Sequence, residues 1–519
     1  MTNFHRSLVL GCSLLALAGC GADEIASPGT GGNVIINNPT PTPTPTATGG
    51  TGTVQPAAAC PTISNPTALT DVGTITGPTG TWRVCEMPAR FTASATLPYV
   101  KGVLYAFPGR VDVGSDGGPA PDNSDGASDT NVTLSIEPGV ILFGNGADFL
   151  MVNRGNRINA VGTATRPIVF TSRANVLGTN TDTSSGQWGG VVLAGRAPVT
   201  DCAAPNATPG TVNCERQVEG SAQPAFFGGA TQNDSSGRMS YVQIRYSGFV
   251  LSGNSELQSL TTGGTGTGTQ IDNIQSFNSS DDGVEFFGGF VNARRMVIIG
   301  AEDDGLDTDT GVKANLQYVI AVQRAGAGDL MIEADSDNGL YEQTPRQNTR
   351  VSNATFVMGN TASAATIRLR GGTDYALVNS VVRAPDNNCV RIDHAETIRA
   401  ADAAKDEAGP PLFASVVLTC KDPFIAGSGV TRDQTAALFQ GRNNNSAFTS
   451  TLTMTFVNGA NEAAVPAFDP KQLSAYFDTV SYIGAVKDAS DTWYRGWTCD
   501  SATANFGSGS ACTALPIYN

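Results

Sequence analysis

Apolar and β-branched residues fall in short runs that recur along most of the chain, at 132–136, 140–143, 167–170, 191–193, 241–244, 296–299, 318–322, 354–358 and 376–382. Gly, Asn or Asp punctuates each run, the pattern of short strands separated by turns. Helical periodicity is scarce. Its best window is 395–407, rich in alanine with Glu396, Arg399 and Lys405, and it reads as a small helical insertion between Cys389 and Cys420. The runs are broken by turns rather than by hairpin dipeptides. Asn also recurs just beyond apolar runs, as at Asn273, Asn292 and Asn353, where inward polar ladders are expected in a solenoid.

One repeat fixes the period. Ser280-Asp281-Asp282-Gly283-Val284-Glu285 returns as Glu302-Asp303-Asp304-Gly305-Leu306-Asp307 at an offset of 22 residues. That length suits one coil of a parallel β-helix, in which every turn of chain stacks on the last. The expected fold is all-β, a right-handed parallel β-helix with disulfide-pinned loops. Such a solenoid escapes the size limit of a single core, because each coil packs only on its neighbours.

Composition divides the chain into 1–19, 20–59, 60–130, 131–394 and 395–519. The first segment reads as a signal peptide, with His5-Arg6 before a short apolar run and Leu17-Ala18-Gly19-Cys20 at its end. That ending looks like a bacterial lipobox, which makes Cys20 the lipidation residue. Gly21 in place of an aspartate favours the outer membrane, with the membrane face left open. Segment 20–59 is a tether carrying Pro39-Thr40-Pro41-Thr42-Pro43-Thr44-Pro45, an extended polyproline-type spacer. Segment 60–130 reads as an N-terminal capping region whose acidic stretch 112–129 is expected to be an exposed loop. Segment 131–394 is the β-helix, and 395–519 the insertion and C-terminal capping region.

The chain has ten cysteines, of which Cys12 lies in the signal peptide and Cys20 is the expected lipidation residue. The other eight form sequence-local couples: Cys60 with Cys85, Cys202 with Cys214, Cys389 with Cys420, and Cys499 with Cys512. Eight cysteines permit on the order of a hundred pairings, so the couples are simply the plainest choice. With no CxxC spacing, and only His394 left beyond the signal, structural disulfides fit better than zinc.

Further motifs carry a resemblance. Ile136-Glu137-Pro138-Gly139-Val140, Arg166-Pro167-Ile168-Val169-Phe170-Thr171-Ser172 and Gly186-Gln187-Trp188-Gly189-Gly190-Val191-Val192 stand in succession. Downstream lie Tyr241-Val242-Gln243-Ile244-Arg245-Tyr246, Phe286-Phe287-Gly288-Gly289 and Trp493-Tyr494-Arg495-Gly496-Trp497. Together they resemble a family of secreted or lipid-anchored β-helix proteins of proteobacteria and Bacteroidetes. The resemblance implies a right-handed parallel β-helix at the cell envelope and carries over no catalytic residue.

The acidic repeat is the candidate chemistry. Stacked coils place Asp281 on Asp303, Asp282 on Asp304 and Glu285 on Asp307, with Asp309 nearby and like charges about 4.8 Å apart. A third stretch, starting at Glu333 and Asp335, follows after a longer loop. Calcium takes six to eight hard oxygens, so Asp281, Asp282, Glu285, Asp303, Asp304, Asp307 and Asp309 are candidate metal ligands and calcium the candidate cofactor. The competing expectation is a solvated turn partly compensated by Arg294, Arg295 and Arg324.

Catalysis is the third reading. Asp281 with Asp304, or Asp282 with Asp303, would have to keep the roughly 6.5–9.5 Å separation of an inverting hydrolase. A lyase needs an arginine base, for which Arg294, Arg324 and Arg368 are positional candidates. Arg368-Leu369-Arg370 reads as a strand with outward arginines, and His394 as a surface residue. Phe286, Phe287, Phe290 and Tyr341 lie near the acids and read as core or stacking residues before sugar platforms.

The net charge of −15 and the lack of a basic stripe exclude nucleic acid as a partner. The expected partners are the membrane, through the lipid, and an outer-membrane protein or a glycan. The expected role is a non-enzymatic binding or structural module. A polysaccharide lyase or glycoside hydrolase is the alternative.

Overall fold

The computed structural model describes residues 53–518 apart from 220, 222, 253–254, 337–338 and 360–361. The expected signal peptide, Cys20 and the proline-rich tether lie outside the described residues.

Among the described residues the strands join mainly into two ladders, a sheet of 15 strands and a sheet of 10. The chain alternates between them. Val284–Phe287 lies in the second sheet, Phe290–Ile299 in the first, Leu306–Asp309 in the second and Lys313–Val322 in the first. These strands pair in parallel with their counterparts one coil on, which makes this body a parallel β-helix. Val284 faces Leu306 and Glu285 faces Asp307, so the 22-residue offset is the coil register. Alternate residues from both sheets fill the interior: Val284, Phe286, Leu306, Met296, Ile298 and Val319 belong to one buried cluster.

The long strands of the first sheet turn a corner at one residue with positive φ. These residues are Tyr241, Asn273, Arg295, Tyr318, Asn353 and Asn379, with φ between 49° and 63°. Asn tolerates this region better than most residues. At Asn379 the side-chain amide also donates to the Phe468 carbonyl at 2.9 Å, while its oxygen accepts from the Phe468 N–H at 2.7 Å. Asn292 is not a corner residue; it lies within a strand and accepts from Asn315 at 2.8 Å.

All four cysteine couples are bonded: Cys60–Cys85, Cys202–Cys214, Cys389–Cys420 and Cys499–Cys512. The antiparallel pair Thr70–Gly77 and Gly80–Glu86 closes the N-terminal end. At the other end the helix Arg432–Leu438, started by a Thr431–Gln434 capping box, brings Phe439 against Phe413 and Phe424. The window 395–407 is not an α-helix. It forms two single 3-10 turns, Ala395–Ile398 and Ala403–Lys405. Alanine favours a helix, but so short a segment nucleates poorly, and Glu407 is drawn instead to Arg346 at 3.1 Å and Arg399 at 3.0 Å.

The C-terminal segment does more than cap. From residue 456 onward it runs back along the outside of the first sheet. There Phe456, Tyr494, Trp497 and Phe506 pack against Tyr246, Phe277, Val297, Ile299, Ile320 and Val322. Gln275 clasps the backbone of Cys499, accepting at 2.8 Å and donating at 3.1 Å. Tyr99 donates to the Tyr518 carbonyl at 3.2 Å, so the strap ends beside the N-terminal coils.

The acidic stretch 112–129 is also not a free loop. Buried Arg154 pairs with Asp116 at 2.6 Å and buried Arg196 pairs with Asp129. Two guanidiniums missing from any local pattern tie it to the body.

Candidate metal centre

Strand alternation decides which way the acids point. In Val284–Phe287, Val284 and Phe286 enter the helix core, so Glu285 and Phe287 face outward. The outward positions of successive strands form a column: Thr261, Glu285, Asp307, Glu333, Arg368 and Arg391, each the register partner of the next. A second outward position holds Phe287 beside Asp309.

Just before these strands the turns stack as well. The Asp304 N–H donates to Asp282 Oδ1 at 2.8 Å, and the Leu330 N–H to Asp304 Oδ1 at 2.7 Å. Gly283 is required by crowding, since a Cβ there would lie 2.3 Å from Ile298 and 2.7 Å from the Gly305 carbonyl.

Among the described residues four carboxylate triads result, each with oxygens within 4.8 Å of one another: Asp281, Asp282 and Asp303; Asp282, Glu285 and Asp307; Asp303, Asp304 and Asp329; and Asp304, Asp307 and Glu333. Six of the seven predicted ligands are thus brought together. Asp309 is buried, but it belongs to none of the triads and turns its Oδ1 to the Thr310 N–H at 2.5 Å. Asp329 joins unpredicted, and Glu333 completes the third rung. The coil leading to them is 26 residues rather than 22, so a strict-period search passes over Asp329.

The expectation of a solvated turn is overturned. Asp282, Glu285, Asp304 and Asp307 are 3–5% exposed. Residues from outside these strands lie against this face: Phe287 shares a buried cluster with Phe227 and Val199, and Gln258 donates to Asp281 at 2.9 Å. The arginines expected to compensate are engaged elsewhere. Arg294 pairs with Asp478, Arg324 with Glu302, and Arg295 lies over the Tyr318 ring. Arg370 compensates instead. It is outward-facing as expected but buried, and it pairs with Glu333 at 3.3 Å and Asp335 at 3.1 Å.

Burial, then the charge of each neighbouring acid, pushes Asp282, Glu285, Asp304 and Asp307 far above the usual carboxylate range. Asp281 is raised to about 7, by burial and then Glu256. Asp303 is raised to about 8, by burial and then Asp281. Asp335 rises to about 7 through burial, against the pull of Arg370. So many carboxylates in one dry face need protons or a cation. The donors are all hard oxygens, with no histidine or cysteine among the triads, and this chemistry fits calcium.

The hydrolase geometry fits less well. Asp282 and Asp303 bring oxygens within 4.8 Å, inside the separation an inverting enzyme keeps. His394 is not a plain surface residue. It is half-buried and stacked on Tyr341 with ring centroids 4.6 Å apart, and its Nδ1 accepts from the Gly371 N–H at 3.0 Å. Phe286 and Phe287 are both buried and offer no sugar platform.

Residues 125–498 match a family described as a pectate-lyase-like β-helix domain. The crystal structure of pectate lyase Pel9A is similar at 12% identity with a TM-score of 0.29, covering 75% of this chain and 88% of that one. No curated protein matches the chain.

Proposed function

Given that the chain belongs to the pectate-lyase-like β-helix domain family, we propose that it is a lipid-anchored envelope protein that holds calcium on its outer acidic face and binds polysaccharide there. The observation that carries this reading is the set of buried carboxylate triads, which calcium would neutralise when bound. Asp282, Glu285, Asp304 and Asp307 would form the dry floor. Asp281, Asp303 and Asp329, each only partly buried, would form the side open to a ligand. The Leu17-Ala18-Gly19-Cys20 motif supports anchoring at the outer membrane through Cys20, and the four disulfides suit an oxidising compartment.

Calorimetric titration with calcium tests the cation site. Binding to the wild type that is lost in Asp304→Ala is expected, with a lower melting temperature in EGTA. No heat of binding and no response to EGTA would remove it. A panel of acidic and neutral glycans tests the role, and binding without turnover is the expected result.

The family match favours a second reading, a carbohydrate-active enzyme on the same scaffold. It requires unsaturated uronides or new reducing ends to appear with some polysaccharide, and to vanish in Asp282→Asn.

A further inference from the structure

At the root of the C-terminal strap the chain folds against its own pattern. Thr451-Leu452-Thr453-Met454-Thr455-Phe456-Val457 is rich in β-branched residues and alternates polar with apolar positions up to Phe456, as an unbroken strand does. It contains no glycine, asparagine or proline, the residues a tight turn demands. Yet the Thr453 N–H donates to the Val457 carbonyl at 2.7 Å, and the Val457 N–H to the Thr453 carbonyl at 2.9 Å. Closing so short a hairpin puts Met454 at a φ of 48° and Thr455 at 76°, the largest positive value among the described non-glycine residues. Thr455 is β-branched, so this conformation is strained and the extended one is preferred. Thr453, Met454 and Thr455 are all exposed, so little packing holds the turn shut.

The strap beyond this turn is gripped by side chains that read its backbone. Gln243 donates to the Trp497 carbonyl at 2.5 Å and Asn353 to the Tyr482 carbonyl at 2.9 Å, beside the clasps of Gln275 and Asn379. Fully buried Arg245 gives its hydrogen bonds, among the described residues, to uncharged oxygens: Gln243 Oε1 at 2.8 Å and the Cys512 and Ala514 carbonyls, each at 2.9 Å. No disulfide ties strap to body. Cys499 and Cys512 are both in the strap, and the other three couples precede the turn. A face stripped of its strap would leave Arg245, these amides and the rings of Tyr246 and Phe277 bare, at high cost. An identical strap from another copy makes the same bonds.

We infer that this face receives the strap of a second copy of the chain: residues 456–518 of two copies exchange about an opened Met454–Thr455 hinge and form a closed two-fold dimer. Exchange re-makes each clasp between chains instead of within one. Only the hinge changes, from a strained turn to the extended form its residues favour, and a short strained hinge is what invites exchange. Two relieved hinges work against the entropy of association, so the dimer depends on concentration. The strap must leave one body before it seats on another, so exchange occurs during folding and is slow afterwards.

The test is refolding of the full chain at low and at high concentration, followed by size-exclusion chromatography with light scattering. A dimer that grows with concentration and persists on dilution is expected. Thr455→Pro, whose ring forbids a positive φ, is expected to raise the dimer-to-monomer ratio about fivefold, and Thr455→Gly, which accepts one freely, to lower it by about as much. Wild type and Thr455→Gly carry the test if Thr455→Pro does not fold. Isotopically light and heavy copies, refolded together and cross-linked, are expected to yield peptides joining a light body to a heavy strap. A chain that stays monomeric throughout overturns the exchange. So does a dimer whose body-to-strap links all join like copies, or a ratio that Thr455→Gly leaves unchanged.

Discussion

Glu285 lies directly opposite Asp307 on adjacent parallel strands, and the two buried carboxyls share one triad with Asp282, their oxygens within 4.8 Å of one another. Two acids in that position cannot both ionise in isolation. They share a proton, or they share a cation.

Asp307→Asn should therefore separate the two states. In EGTA the amide removes a buried like charge, and the melting temperature should equal or exceed that of wild type. With calcium in excess the wild type should rise above the variant. Scanning calorimetry in both conditions checks the crossing.

The cation-free protein should lose stability as pH rises from about 5 to 8. Asp281 titrates near 7 and Asp303 near 8 when folded, against about 3.9 for an unfolded aspartate. Between those values the folded state holds protons that the unfolded state has released, so raising the pH favours unfolding. Urea midpoints at the two pH values, in EGTA, should show the fall, and calcium should flatten it.

Arg370→Met leaves Glu333 and Asp335 without their buried partner. Breaking a buried pair from one side costs about 3–5 kcal/mol. Urea denaturation should show a loss of that order in EGTA and a smaller one in calcium.

Trp497→Ala should loosen the C-terminal strap. The ring is fully buried, meets Tyr241 edge-on at 6.0 Å, and donates to the Trp493 carbonyl at 2.8 Å. Truncating a buried tryptophan costs about 3–5 kcal/mol. Limited proteolysis should then cut first between residues 456 and 518, before the coils themselves are digested.

Several elements were legible without the fold because they are local. The stacking of Glu285 on Asp307 follows from one coil length, and each disulfide joins cysteines no more than 31 residues apart. The longer coil before Asp329 hid that residue, because a period search fails where the period stretches. Arg370 was read as an outward arginine of a strand; the strand ends at Leu369, and nothing local records that Arg370, just beyond it, is covered and paired with Glu333 and Asp335.

By itself the sequence determined the repeat, the stacking of coils that it implies and the identity of the stacked acids, all consequences of spacing along a quasi-one-dimensional chain. Only the tertiary structure decided that the acids are dry, that Arg370 rather than Arg294 or Arg324 answers them, and that the C-terminal strap covers the first sheet. Those outcomes depend on segments that return from far along the chain, such as the bond from Gln243 to Trp497 across 254 residues. Burial is set by what lies on top of a face, and no local pattern records which distant segment that will be.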